Sequence, residues 1–234
     1  MDLFLSQDNA FTAYTAQHYI PLLLNFSIGF MLIFFAKAKL NPSQQKKLLF
    51  WIAFIPFLGT FMKYPMVLAG EPLNIKEDLP FHLCNFLAIT APLVVWKENR
   101  FWIGVFYFWI MVGTLNANIT PEVEFGFPHW SYFTYWMSHS VLVLIPLYYI
   151  IVFRIHIDFK DLRNAFVMMN VFVIFTLIVN YLLGSNYMYT MQKPPVVSLL
   201  DILGPWPSYL LSGQLLALVL FYIVYLPFKF VKRP

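Results

Sequence analysis

The sequence predicts an all-α polytopic membrane protein: a bundle of seven transmembrane helices in a single domain. Of its 234 residues, 60% are hydrophobic and only 11% are charged, and the mean hydropathy is +0.68. A soluble domain carries about 25% charged residues. The apolar residues also fall into runs close to the length of about 20 residues with which a helix crosses a bilayer. These observations exclude an ordinary soluble domain, and the single cysteine excludes an internal disulfide.

Seven apolar runs account for most of the chain, and none of them repeats another. The third run is short, and an aspartate and a proline just before it suit the start of a helix. The far end of the fourth run is polar, and a proline-rich segment precedes the seventh. The predicted spans are residues 19–36, 48–69, 81–96, 101–118, 132–153, 165–183 and 209–230.

The distribution of lysine and arginine predicts the orientation. With seven spans, the first, third and fifth loops and the C-terminal tail lie on one side, and all four are basic. The other side carries only Lys76 and Lys193 but most of the acidic residues. Basic loops stay in the cytoplasm, so we expect the N-terminus outside and the C-terminus inside a multi-pass protein of the cell membrane. Because the basic residues lie in short loops, they do not indicate a nucleic-acid partner.

The only cysteine, Cys84, lies near the predicted start of the third span. Asp78 is placed to cap this helix and Pro80 to lie in its first turn, so Cys84 is expected about one turn from the outer end. The positive end of the helix dipole favours a thiolate there. His82 is two residues away and would point to a different face of the helix. A base for Cys84 is therefore expected from elsewhere in the chain.

His139, about two turns into the fifth span, is the candidate base. A cysteine or a histidine alone is more often a packing residue. Both at similar depth on separate helices can form a nucleophile and base, in which the imidazole removes the thiol proton and returns it to the leaving group. Because Cys84 and His139 both lie in the outer half of the membrane, the sequence favours an outward-facing pocket.

Other ionisable groups near this depth allow different interpretations. Lys63 lies inside the second span, where a charge usually faces a cavity or a partner, although it could also reach out to the lipid headgroups. His82, His129 and His139 could join Cys84 in a zinc site. The chain has no close ligand pair such as CxxC or HExxH, so we expect no metal and no cofactor.

Four segments of the chain carry a resemblance to a known family. They are residues 79–84, 126–129 with His139 ten residues on, 184–189 and 198–207. Through them the chain resembles the YwaF-like integral membrane family, which is related to the animal transmembrane-protein-164 acyltransferases. The resemblance implies acyl transfer on phospholipids, with Cys84 as nucleophile and His139 as base. A more distant resemblance is to membrane hydrolases of branched fatty-acid esters, which use a threonine nucleophile.

We therefore expect a membrane lipid acyltransferase or acyl hydrolase that acts on membrane lipids through a thioester. The alternative is a transporter or receptor for a small anionic solute, with Lys63, His139 and Asp201 in its cavity. Other candidates would shape the pocket, donate hydrogen bonds to an oxyanion or orient a histidine. These further candidates are His82, His129, Lys63, Asn116, Asn186 and Asp201.

The orientation can be tested with an impermeant thiol reagent. In a Cys84→Ser background, a cysteine introduced by Lys46→Cys is expected to resist an impermeant maleimide in intact cells and to react after permeabilisation. Lys76→Cys, in a loop of the opposite side, is the matched control and is expected to react in intact cells. Labelling of the Lys46→Cys variant in intact cells would show that the orientation is inverted.

Overall fold

The computed structural model describes residues 2–5, 9–65, 73–194 and 199–230. Within these ranges the chain is helical, with an isolated β-bridge between Ala10 and Phe125 and no β-strand. One helical turn at Asp2–Leu5 comes first, and short 3-10 turns lie at Tyr187–Tyr189 and Leu199–Leu203. The long helices are α1 Ala16–Lys39, α2 Pro42–Phe61, α3 Leu83–Lys97, α4 Arg100–Ile119, α5 Trp130–Ile151, α6 Phe159–Leu183 and α7 Ser208–Phe230.

Six of these helices are long and apolar enough to cross a membrane, and α3, with 15 residues, is shorter. Large apolar side chains such as Leu23, Ile174 and Leu215 remain more than half exposed on the bundle surface. Such surfaces are costly in water and are typical of helices that face lipid. The prediction of an all-α, multi-pass membrane protein is confirmed.

Helix α5 is the centre of the bundle. It packs against α1, α2, α3 and α4, and α2 packs against it most extensively. A small residue allows one of these close approaches: a Cβ on Gly29 of α1 would lie 2.3 Å from Leu144 Cδ1 of α5. Within a bilayer no hydrophobic driving force brings helices together, so their association depends on such close packing. Helix α7 packs less extensively, against α6, α4 and the turn before it.

Polar caps fix several helix ends. Asn41 and Gln44 form a reciprocal capping box at the start of α2, with Pro42 at its first position. At the start of α4, Asn99 Oδ1 accepts a hydrogen bond from the N–H of the second helical residue at 3.0 Å. Helix α6 ends at Gly184, whose φ of 62° is the left-handed conformation that favours glycine.

Ion pairs join the loops that carry most of the basic residues at one end of the bundle. Lys46 Nζ lies 2.7 Å from Glu98 Oε2, which joins the first and third loops. Arg100 makes a two-pronged pair with Asp161 at 2.9 and 2.6 Å and also donates to the His156 carbonyl, which joins the third loop to the start of α6. We call this end of the bundle the basic end.

The opposite end carries its own contacts between segments, and we call it the Cys84 end. Tyr187, after α6, accepts a hydrogen bond from the Leu79 N–H at 3.0 Å and donates one to the Ile75 carbonyl at 2.7 Å. Lys63 lies 2.8 Å from Asp78. The segment that precedes α3 is thus held against the ends of α2 and α6.

The structure corrects the predicted start of the third span. Asp78 does not cap α3, which begins at Leu83 with His82 as its N-terminal cap. The Asp78 carboxylate instead pairs with Lys63 and accepts a hydrogen bond from the Asn74 N–H at 2.7 Å. The helix therefore begins four residues later than it would if Asp78 were its N-terminal cap. Cys84 is consequently the second residue of α3 and lies less than one turn from its end.

Lys63 follows the regular part of α2, which ends at Phe61, and helical geometry is present again over residues 63–65. Its side chain forms a partly exposed ion pair with Asp78. The predicted depth of Lys63 in the second span stays a prediction. The last part of the predicted second span, residues 66–69, lies outside the described residues.

The Arg100–Asp161 pair is expected to stabilise the bundle more than the Lys46–Glu98 pair. The Asp161 side chain is 9% exposed, whereas both partners of the second pair are about half exposed. Arg100→Gln leaves a buried carboxylate without its cation and is expected to cost about 1–3 kcal/mol of unfolding free energy. Lys46→Gln is the matched control, with an expected cost of about 0–1 kcal/mol. Thermal unfolding in detergent measures both, and equal losses would contradict this ranking.

Candidate functional site

Cys84 faces helix α4. Its sulfur lies 3.8 Å from the Thr114 hydroxyl, which is fully buried. The helices approach closely at this level: a Cβ on Gly113 would lie 3.3 Å from the Leu83 side chain. The thiol is therefore held near the start of α3 and directed toward the polar end of α4.

That polar end of α4 is not a regular α-helix. Residues Ile110–Thr114 form a π-helix, after which α-helical geometry resumes at Leu115–Ile119. Single π-helical turns inside α-helices are rare and occur frequently at functional sites. Here Thr114, which contacts Cys84, is the last residue of the π-helical turn.

Asn118, one turn beyond Thr114, connects α4 to α5. Its side-chain N–H₂ donates to the carbonyl oxygens of Thr114 at 2.9 Å and His139 at 3.0 Å, and its Oδ1 accepts from the Ser140 hydroxyl at 2.8 Å. Its backbone carbonyl lies 2.9 Å from Nε2 of His18 on α1. Asn118 is 1% exposed, so this polar group is both buried and fully paired.

The two ring nitrogens of His139 differ in their surroundings. Its Nδ1 lies 2.9 Å from the Tyr135 carbonyl, which can only accept, so Nδ1 carries the hydrogen of the neutral imidazole. Nε2 then has the free lone pair, and it has no hydrogen-bond partner among the residues described. The imidazole also stacks on the Tyr135 ring, with 4.1 Å between centroids and 21° between planes. This arrangement orients the ring and leaves Nε2 able to accept a proton.

Tyr135 packs against His139 and lies in the neighbourhood of Cys84. Besides stacking on the imidazole, it is close enough to Cys84 to interact with it electrostatically. Its hydroxyl donates to the Ala117 carbonyl at 2.7 Å, which fixes the ring against α4. The Tyr135 ring is thus held by α4 on one side and by the imidazole on the other.

Glu122 and Tyr189 lie at the rim of the same cluster. The Tyr189 hydroxyl donates to the Glu122 carboxylate at 3.0 Å, and both residues interact electrostatically with Cys84. Burial, followed by the nearby Glu122 carboxylate, raises the pKa of Tyr189 above its usual value. Tyr189 is consequently a stable hydrogen-bond donor at neutral pH.

The structure brings Cys84 and His139 to the same end of the bundle but does not join them directly. In the described part of the chain, neither side chain hydrogen-bonds to the other. They are connected through Tyr135 and through the Thr114–Asn118 turn. Their action as a nucleophile and base stays a prediction.

Three of the other predicted site residues take part in local contacts at the Cys84 end. His82 Nδ1 accepts from the Met188 N–H at 3.4 Å, and its ring contacts those of Tyr187 and Tyr189. Lys63 pairs with Asp78, as described above. His129 lies in the loop before α5, where its Nδ1 caps that helix through the N–H and hydroxyl of Ser131.

The remaining predicted residues are Asn116, Asn186 and Asp201. Asn116 is on an exposed face of α4, and its side chain has no hydrogen-bond partner within the described ranges. The Asn186 side chain closes its own loop, with Oδ1 accepting from the N–H groups of Met191 and Gln192. Asp201 lies 4.0 Å from Lys193 in the segment before α7. In the ranges described, no three His, Cys, Asp or Glu side chains are arranged to hold a metal ion.

Sequence reasoning missed the residues that connect the two candidates. Thr114 and Asn118 lie four residues apart in the polar end of an apolar span, a spacing that places both on one helix face. This pair of polar residues on one face could have identified the side of α4 that contacts the two candidate residues. Tyr135 resembled an ordinary residue of an interfacial aromatic belt, and no local pattern distinguishes it or Tyr189.

Together, the fold and this cluster define a multi-pass helical membrane protein with a cysteine and a histidine in one polar region near one end of the bundle. The model of the TMEM164 family matches residues 13–225, so the chain belongs to the TMEM164 family. The resemblance inferred from the four sequence segments is confirmed. The chain is also similar to a protein of Treponema pallidum (strain Nichols) described as uncharacterized, with 23% identity over 172 residues, which cover 72% of this chain and 71% of that protein. No solved structure matches the chain.

Asn118 offers a test of the cluster's structural role. Asn118→Ala removes three hydrogen bonds from a buried site and leaves the Ser140 hydroxyl without its acceptor, so we expect a loss of about 1–3 kcal/mol. Asn116→Ala, on the exposed face of the same helix, is the matched control and is expected to change stability by less than about 0.5 kcal/mol. Thermal unfolding in detergent compares them. Similar melting temperatures for the two variants would contradict the role assigned to Asn118.

Proposed function

We propose that this protein is a lipid acyltransferase or acyl hydrolase, with Cys84 as the nucleophile and His139 as the general base and acid. The observation that carries the proposal is the pair of available reactive atoms at one end of the bundle. The Cys84 sulfur contacts a hydroxyl, and His139 Nε2 has no hydrogen-bond partner among the described residues while Nδ1 is anchored. Membership of the TMEM164 family supports a membrane setting for this site.

The proposed topology has seven crossings, with the N-terminus outside and the C-terminus in the cytoplasm. The short helix α3 supports the seventh crossing, because the segment before it contacts Tyr187 at the Cys84 end and Glu98 after it contacts Lys46 at the basic end. The basic end would face the cytoplasm of the cell, in accordance with the usual bias of lysine and arginine. The Cys84 end would then open toward the outer leaflet.

The first half-reaction forms a thioester. His139 Nε2 takes the proton of the Cys84 thiol, and the sulfur attacks the carbonyl carbon of a lipid ester. The tetrahedral intermediate collapses as the carbon–oxygen bond to the alcohol breaks, and the departing oxygen takes the proton from the imidazolium. The acyl group is left on Cys84 and the lyso-lipid leaves.

The second half-reaction removes the acyl group. His139 takes a proton from an incoming hydroxyl, whose oxygen attacks the thioester carbonyl. The carbon–sulfur bond breaks, and the thiolate recovers its proton from the imidazolium. A lipid hydroxyl as acceptor makes the protein a transferase, and water makes it a hydrolase, so the two activities differ in which acceptor reaches the thioester.

The start of α3 would supply the oxyanion donors. The backbone N–H groups of Cys84 and Asn85 lie in the first turn and have no backbone acceptor within the described ranges. Such N–H groups beside a nucleophile can stabilise a tetrahedral oxyanion. Asn116 and Asn186 stay predictions for this role. His82, His129, Lys63 and Asp201 would shape the entrance.

The thioester is the direct test of the function. After incubation of the purified protein with a phospholipid extract, intact mass spectrometry is expected to detect an acyl addition that hydroxylamine removes. Peptide mapping is expected to place it on Cys84, and Cys84→Ser is expected to lack the thioester. A protein that turns over lipid without any such adduct, or carries the adduct equally in Cys84→Ser, would contradict covalent catalysis by this cysteine.

The shared role of Cys84 and His139 predicts non-additive losses. Cys84→Ser and His139→Ala are each expected to lower lipid turnover by about 100-fold or more, and the double variant to lose little beyond either single one. His156→Ala, at the basic end, is the control and is expected to keep activity. Circular dichroism confirms that each variant is folded. Losses that multiply in the double variant would show that the two residues act independently.

A further inference from the structure

A groove of about 370 Å³ between α3 and α4 lies apart from the proposed catalytic residues. One face of each helix lines it, with residues recurring every three or four positions, as on a single helix face. It runs from the basic end of the bundle toward the level of the α3 start. The residues used below are Phe86, Thr90, Lys97, Asn99, Trp102 and Phe106.

Polar donors line the groove at the basic end. Lys97 Nζ lies over the ring of Trp96 at 4.5 Å, and it has no acidic partner in the part of the chain described. The Asn99 Oδ1 atom accepts from the first N–H groups of α4, so its amide N–H₂ group remains available. The Trp102 indole N–H has no acceptor among the described residues. One cationic residue and two residues with available neutral donors therefore line this end of the groove.

The rest of the groove is apolar. Phe86 and Phe106 lie toward its far end, and Thr90 donates its hydroxyl to the Phe86 carbonyl at 2.6 Å. Because this hydroxyl is already hydrogen-bonded within α3, Thr90 leaves no unpaired polar group in the groove. The groove thus combines a cationic, donor-rich end with an apolar channel, and no acidic side chain lines it.

We propose that this groove binds one anionic phospholipid, with its phosphate at Lys97, Asn99 and Trp102 and an acyl chain along the apolar channel. Charge complementarity selects an anionic headgroup, and basic pockets between transmembrane helices are known to hold such lipids on the cytoplasmic side. The ester groups would lie at the basic end, far from Cys84, so this lipid is a bound ligand and not the substrate. The site does not depend on the catalytic proposal.

A neighbouring cavity is less suited to an anion. It has a volume of about 570 Å³ and lies between α2 and α3, with Lys46, Lys47 and Glu98 in its lining. The Glu98 carboxylate pairs with Lys46 at 2.7 Å, so part of the positive charge there is already neutralised. The groove at Lys97 has no such carboxylate, which is why we assign the lipid to it.

Native mass spectrometry in detergent tests the site, with phosphatidylglycerol and phosphatidylcholine supplied at equal concentration. The wild type is expected to retain one phosphatidylglycerol in preference to phosphatidylcholine. Lys97→Gln is expected to lower phosphatidylglycerol occupancy at least fivefold, and Trp102→Phe, which keeps the ring but removes the N–H, about twofold. Lys39→Gln, at the basic end of α1, is the matched control and is expected to retain the lipid.

Three results would overturn the proposal. Equal retention of the two lipids by the wild type would show that the charge of the headgroup does not determine which lipid binds. Equal phosphatidylglycerol occupancy in Lys97→Gln and Lys39→Gln would place the lipid elsewhere. Complete displacement of phosphatidylglycerol by millimolar inorganic phosphate would show that the acyl chain adds nothing to binding and that the groove holds a free anion.

Discussion

The hydrogen bonds of one buried side chain, Asn118, hold together the region on which the proposed function depends. Its amide reaches a carbonyl of α4 and a carbonyl of α5, and its own backbone carbonyl is bonded to His18 of α1. In a membrane interior an unpaired polar group costs several kcal/mol, because no water can replace the missing partner. These hydrogen bonds therefore fix the positions of α1, α4 and α5 relative to one another at this depth. Thr114, which contacts Cys84, and His139 both depend on it.

The two ends of the bundle have different chemistry, and this division gives the molecule its proposed functions. At the Cys84 end, a short helix and a π-helical turn direct a thiol toward buried polar groups, while stacking on Tyr135 orients the imidazole. At the basic end, ion pairs join the loops and leave Lys97 facing an apolar groove. We propose that one end carries out chemistry on a lipid ester and that the other holds a lipid headgroup.

The sequence predicted the helical membrane class and the family, because hydropathy over spans of about 20 residues depends on composition and little on detail. It also indicated that Cys84 lies near a helix start. The exact start was wrong, since Asp78 is engaged by Lys63 instead of capping α3, and ion pairs between distant segments leave no local pattern. The direction of the Asn116 side chain could not be predicted, because one residue of offset on a helix turns a side chain by about 100°. Tyr135 and Asn118 acquire their roles only through packing between α4 and α5.

The central claim is that Cys84 and His139 line one pocket, and the single cysteine of this chain makes it directly measurable. A short bifunctional maleimide is expected to link Cys84 to the thiol introduced by His139→Cys, seen as one reagent bridging two peptides by mass spectrometry. The control is Met137→Cys, two residues away, where the side chain faces Gly59 of α2, and there we expect two separate single adducts. Single adducts at both thiols of the His139→Cys variant, or an equal yield of bridges in the control, would contradict a shared pocket.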